Sequence, residues 1–83
     1  MYYRGGKSVK RYWELEQPII YSSDKNVVKV YMNQGKIQVF PSVPSSKYGI
    51  GRGATLDLHS FSNERLIDLR ESIMKIFENT ISK

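Results

Sequence analysis

The feature that most narrows the fold is a pair of alternating segments, Val27–Met32 and Lys36–Phe40, separated only by Asn33-Gln34-Gly35. Two β-prone runs joined by a short glycine-containing loop predict an antiparallel hairpin. Side chains alternate across a strand, so Val28, Val30 and Met32 share one face with Ile37 and Val39. The other face then carries Lys29, Tyr31, Lys36, Gln38 and Phe40. That split belongs to a sheet buried on one side only. The second face holds too many bases to be core, so its two rings are expected to meet water or a ligand.

The remaining chain extends this hairpin into a small sheet. Val9–Leu15 alternates, with Val9, Arg11, Trp13 and Leu15 on one side and Lys10, Tyr12 and Glu14 on the other. Pro18 interrupts that strand and Ile19-Ile20-Tyr21 resumes it. Ser22–Asn26 is a turn by content. Pro41–Arg52 is a long loop with two prolines and three serines, and loops of that length in small domains are often functional. Ala54–Leu58 is the last strand. Ser62 then suits the N-cap of a helix, with Glu64 at its positive end and Phe61 and Leu66 placed as a hydrophobic staple.

That helix is wider than its sheet requires. Leu66, Ile67, Leu69, Ile73, Met74, Ile76, Phe77 and Ile81 fall within an apolar arc of about 180°, with Arg70 its one charge. A helix roofing a small sheet needs an arc only a little over ~100°. The surplus is expected to bury against the same helix of a second subunit, with Ile67, Arg70, Ile73, Met74, Phe77 and Ile81 as the interface. The expected fold is α+β: a curved four-stranded antiparallel sheet followed by one C-terminal amphipathic helix (ββββα), dimerising through the helix. Residues 1–8 are read as a flexible basic arm, since Gly5-Gly6 breaks any regular element, and 9–83 as a single nucleic-acid-binding domain.

Composition limits the function classes. With no cysteine and one histidine, neither a disulfide framework nor a metal site is expected. No apolar run approaches the ~18 residues of a membrane span, and the N-terminus lacks a secretory leader's apolar stretch, so an intracellular protein (cytoplasm or nucleoid, or a nucleus) is expected. Thirteen Lys and Arg oppose eight Asp and Glu. Residues 1–59 carry nine bases and four acids, while residues 60–83 carry four of each, so all the excess lies before the helix. Eight of the ten aromatics lie before residue 49. Bases interleaved with rings suit single-stranded nucleic acid, whose phosphates meet Lys or Arg while its bases stack on aromatics.

Other motifs carry less. Gly49-x-Gly51-x-Gly53 leads into a strand and is no dinucleotide fingerprint, although Arg52 within it is placed to approach a phosphate. His59 has no partners for catalysis or a metal, and neither an acid pair nor a nucleophile–base set is apparent, so no enzyme and no cofactor are expected. Lys10-Arg11-Tyr12-Trp13 packs two bases and two rings into four residues. Trp13 shares parity with Val9 and Leu15 and is expected in the core, which leaves Tyr12 as the exposed ring.

The order of these features resembles the positive-cofactor-four family of transcriptional coactivators. Gly51-Arg52-Gly53, Leu56-Asp57-Leu58 and Phe61 stand where that family has a Gly-basic-Gly step, a short strand and an aromatic opening the final helix. The resemblance spans roughly residues 9–80 and implies a homodimer presenting a sheet to single-stranded DNA with little sequence preference. It also implies that Arg52 and the strand bases meet phosphates while Tyr31 and Phe40 stack bases. Val39-Phe40-Pro41 departs from the Arg-x-Tyr type of ending on that strand, and the serine-rich acidic arm of eukaryotic members is absent. The candidate nucleic-acid contacts are Lys7, Lys10, Arg11, Tyr12, Lys29, Tyr31, Lys36, Gln38, Phe40, Lys47, Tyr48 and Arg52. The expected partner is single-stranded DNA or RNA. The alternatives are a backbone binder of double-stranded DNA or RNA, and a protein-interaction or assembly module using the wide apolar helix.

Overall fold

A computed structural model describes residues 10–81; Lys7 and the expected basic arm 1–8 lie outside the described residues. A one-turn helix α1 (Tyr12–Leu15) precedes four strands: β1 (Ile19–Ser22), β2 (Asn26–Tyr31), β3 (Lys36–Pro41) and β4 (Ala54–Asp57). A 3₁₀ turn (Leu58–Ser60) leads to α2 (Asn63–Ile81). The strands form one antiparallel sheet in the order β1-β2-β3-β4, the α+β arrangement expected.

The register fixes the two faces. Ile19, Val30, Ile37 and Leu56 pair in one row, and Tyr21, Val28, Val39 and Ala54 in the next, which makes the apolar face. On the reverse, Ile20, Lys29, Gln38 and Thr55 form a row, flanked by Val27–Phe40 and by Tyr31–Lys36–Asp57. The hairpin therefore has the expected parity. Its strand ends at Tyr31, however, and Met32 joins a four-residue turn closed by Gln34 N donating to the Tyr31 carbonyl at 3.1 Å. Met32 consequently leaves the apolar face and is exposed.

The first strand differs from expectation. Val9–Leu15 alternates in sequence, yet Tyr12–Leu15 makes a turn of helix and the strand begins only after Pro18. The helix start is stabilised locally: Arg11 N donates to Glu14 Oε1 (3.0 Å) and Glu14 N to the Arg11 carbonyl (2.9 Å). At the far end of the sheet, Arg65 N donates to Ser62 Oγ at 3.3 Å, so Ser62 caps α2 as its sequence predicts.

Helix α2 lies over the apolar face without closing on it. Leu66, Leu69 and Ile73 are half-buried, whereas Ile67, Arg70, Met74, Ile76, Phe77 and Ile81 are exposed. An apolar groove of about 850 Å³ runs between sheet and helix, lined by Val28, Val30, Ile37 and Leu56 below and Ile73, Ile76 and Phe77 above. Among the described residues, only Tyr31 is buried, and it lies on the opposite face of the sheet.

Candidate nucleic-acid interface

The segment leading into β1 lies across the polar face, and Tyr12 is its point of attachment. The Tyr12 ring meets Tyr31 edge-on, centroids 5.0 Å apart. Gln38 Nε2 donates to Tyr12 Oη at 2.9 Å, and Tyr12 Oη shares a hydrogen bond with Thr55 Oγ1 at 3.3 Å. Tyr31 Oη donates to Gln38 Oε1 at 3.1 Å. Three strands thus contribute one polar side chain each to a closed network around two phenols. A second attachment comes from Glu16, whose carboxylate accepts from Asn33 N (2.9 and 3.2 Å) and from Asn33 Nδ2 (3.2 Å).

This arrangement corrects several expectations. Tyr31 has the predicted parity but is only 3% exposed, because Tyr12 covers it; its ring does not face solvent. Burial, followed by the neighbouring Tyr12, pushes the Tyr31 phenol above its ordinary range. Gln38 spends both its amide groups on the two tyrosines. Tyr12 and Trp13 exchange the roles predicted for them: Tyr12 turns inward, and Trp13 is 49% exposed rather than in the core. A helical turn separates consecutive side chains by ~100°, where a strand would have given strict alternation.

Beyond that network cations pair with rings, of which Trp13 and Tyr48 are exposed and Phe40 is half-buried. Lys29 Nζ lies 5.4 Å from the Phe40 centroid on the polar face, and the Arg11 guanidinium 5.5 Å from the Trp13 ring on α1. Lys47 Nζ lies 5.4 Å from Tyr48, which is 78% exposed at the tip of the β3–β4 connection. Such pairs leave one ring surface and part of the cation open to a ligand. Lys36 is more committed. Its Nζ is 2.9 Å from Asp57 Oδ1 and 5.6 Å from the Tyr12 ring. That hydrogen bond, more than any other contact, lowers the Asp57 carboxyl below its usual range despite its exposure. Lys10 and Arg52 are exposed.

The β3–β4 connection is more ordered than its composition suggests. Val43 N donates to the Gly49 carbonyl (2.8 Å) and Gly51 N to the Pro41 carbonyl (2.9 Å), with Ser42 and Ile50 bridged between them. The hairpin therefore continues past the sheet and presents Lys47 and Tyr48 at its tip. Its glycines answer to backbone needs: Gly49 has φ +77°, and a Cβ on Gly53 would strike the Val39 carbonyl and come within 2.5 Å of the Phe40 ring. Gly53 thus leaves room for the Phe40 ring just ahead of β4.

Among the described residues no group of three or more His, Asp or Glu side chains is placed to hold a metal ion. No described helix is long and apolar enough to cross a membrane. Sequence reasoning missed Glu16 and Thr55, which act through the position of α1; Pro18, immediately ahead of β1, was the available signal. Comparison with protein-family models, with curated proteins and with solved structures finds no match for this chain.

Proposed function

We propose that this protein is a non-catalytic binder of single-stranded nucleic acid with little sequence preference, DNA foremost, acting inside the cell in replication, repair or transcription. The observation that carries this reading is the pairing of rings with cations at Arg11–Trp13 and Lys47–Tyr48, where the rings are exposed, and at Lys29–Phe40, where the ring is half-buried. Rings give sequence-tolerant stacking, and the adjoining cations reach the phosphates of the same strand. In this reading Trp13 and Phe40 stack bases, Lys10, Arg11, Lys29, Lys47 and Arg52 meet phosphates, and Tyr31 and Gln38 support the surface from beneath. The open half of α2 serves a homodimer, as the family resemblance also implies.

The test is a titration of labelled oligo-dT and of a matched duplex at two salt concentrations. The single strand is expected to bind tighter, with a log–log salt slope of ~0.7 per phosphate neutralised. Phe40→Ala should cost ~1–3 kcal/mol of binding, and Lys29→Ala should flatten the salt slope. Equal affinity for duplex together with indifference to Phe40→Ala would favour a backbone binder. A second reading, an assembly module, draws on the exposed apolar residues of α2 and predicts no oligonucleotide binding at moderate salt.

A further inference from the structure

The polar face is crossed by a segment whose attachments are unusually specific for one turn of helix. No residue of α1 is buried outright and only Tyr12 is half-buried, so apolar burial alone does not hold it in place. It is held instead at two points four residues apart. Tyr12 enters the network of Gln38, Thr55 and Tyr31, and Glu16 grips Asn33 in the β2–β3 turn through its backbone and side-chain amides. Between these two points stands Trp13, the sole tryptophan of the chain, with its ring edge-on to Tyr12 at 5.0 Å and the Arg11 guanidinium over it.

We infer that Tyr12 and Glu16 are positioning residues that hold Trp13 and Arg11 in a fixed orientation over the polar face, ready for a base and its phosphate; the ligand named here rests on the function proposed above. The chemistry fits that role. A short exposed helix would otherwise sample many conformations, and a ring held in its bound orientation avoids the ordering cost on binding. Tyr12 suits it because its hydroxyl both accepts from Gln38 and has a hydrogen left for Thr55, which fixes the ring in two directions. Glu16 suits it because a carboxylate accepting from two N–H groups of one residue cannot easily swing.

Trp13 is a built-in reporter, and the first measurement needs no ligand. Tyr12→Ala is expected to lower Trp13 fluorescence anisotropy and raise its quenching by acrylamide, with Tyr12→Phe, which keeps the ring, lying between it and the parent. Glu16→Gln, on the exposed side, should act in the same direction and serves if Tyr12→Ala does not fold. Oligo-dT titration then reads the consequence. Tyr12→Ala and Trp13→Ala should each weaken binding by about tenfold, the loss of one stacked base, and the double variant should be no weaker than Trp13→Ala alone. Unchanged Trp13 anisotropy in both Tyr12→Ala and Glu16→Gln overturns the inference. So do additive losses in the double variant, or tighter binding by Tyr12→Ala, which would mean that the segment shields the sheet. If the parent ignores oligo-dT, the proposed function falls, and the ligand-free spectra still decide whether Tyr12 and Glu16 fix Trp13.

Discussion

The two faces of this sheet are covered in opposite ways. One lies beneath α1, a helix of four residues, and there the most buried side chain of the described chain is found. The other lies beneath α2, with nineteen residues, and retains an apolar groove of about 850 Å³. Length of the covering element therefore does not decide closure. The short segment covers Tyr31 because one large ring drops onto another and both phenol hydroxyls are hydrogen-bonded, so little is lost on burial. The long helix has an apolar arc wider than a four-stranded sheet has room for. Only Leu66, Leu69 and Ile73 of that arc are half-buried, and Phe77 (59% exposed) and Ile81 (76%) stay in water.

The comparison breaks most severely at α2. With the open groove read as a dimer surface, sedimentation should return twice the 9.6 kDa of the chain, and Phe77→Glu should reduce that to one chain and remove the concentration dependence of Tm. A carboxylate placed in an apolar interface is strongly unfavourable, and oligomer stability scales with protomer concentration. A parent already monomeric at all concentrations would end the dimer reading.

A smaller effect is expected at Tyr31, beneath α1. Tyr31→Ala should lower unfolding stability in urea by ~3–5 kcal/mol, as for other buried aromatics truncated to alanine. Tyr31→Phe, which leaves only the Gln38 amide short of a partner, should cost about 1 kcal/mol. The sign of the pH dependence follows from the raised phenol: the folded state favours neutral Tyr31, so its contribution is full below the ordinary value of 10.0 and is lost as pH rises past it. Tyr31→Phe should accordingly flatten the alkaline limb of the stability profile.

The smallest effect belongs to the rim. Asp57 has a lowered pKa because Lys36 bonds its ionised form, so its contribution is present above the ordinary value of 3.8 and fades as pH falls through the folded value. Asp57→Asn should therefore change Tm little at neutral pH and soften the acid limb. The pair is part-exposed, Lys36 less so than Asp57, and 1 M salt should erase much of the difference.

Much of the fold was legible because it repeats a short period. Val28, Val30, Ile37, Val39 and Leu56 announce their face by alternation, and Ser62 announces the start of α2 by capping chemistry. Lys29 and Phe40 were assigned to the polar face in the same way, by type and parity. The segment at Tyr12 was not legible, because its alternation suits a strand and its actual partners, Gln38 and Thr55, lie 26 and 43 residues away. Tyr31 shows the limit most clearly. Parity placed it on the correct face, but parity is silent on what covers that face.

The amino-acid sequence by itself determined the hairpin and its two faces, the capped amphipathic helix, and the excess of cations and rings ahead of it, since all of these follow from local periods and charges. Only the tertiary structure decided which rings remain open. Tyr12 descends, Tyr31 is covered and Trp13 is left outward, because non-local hydrogen bonds from two strands and a ring contact with a third outweigh the local preference of a short alternating segment.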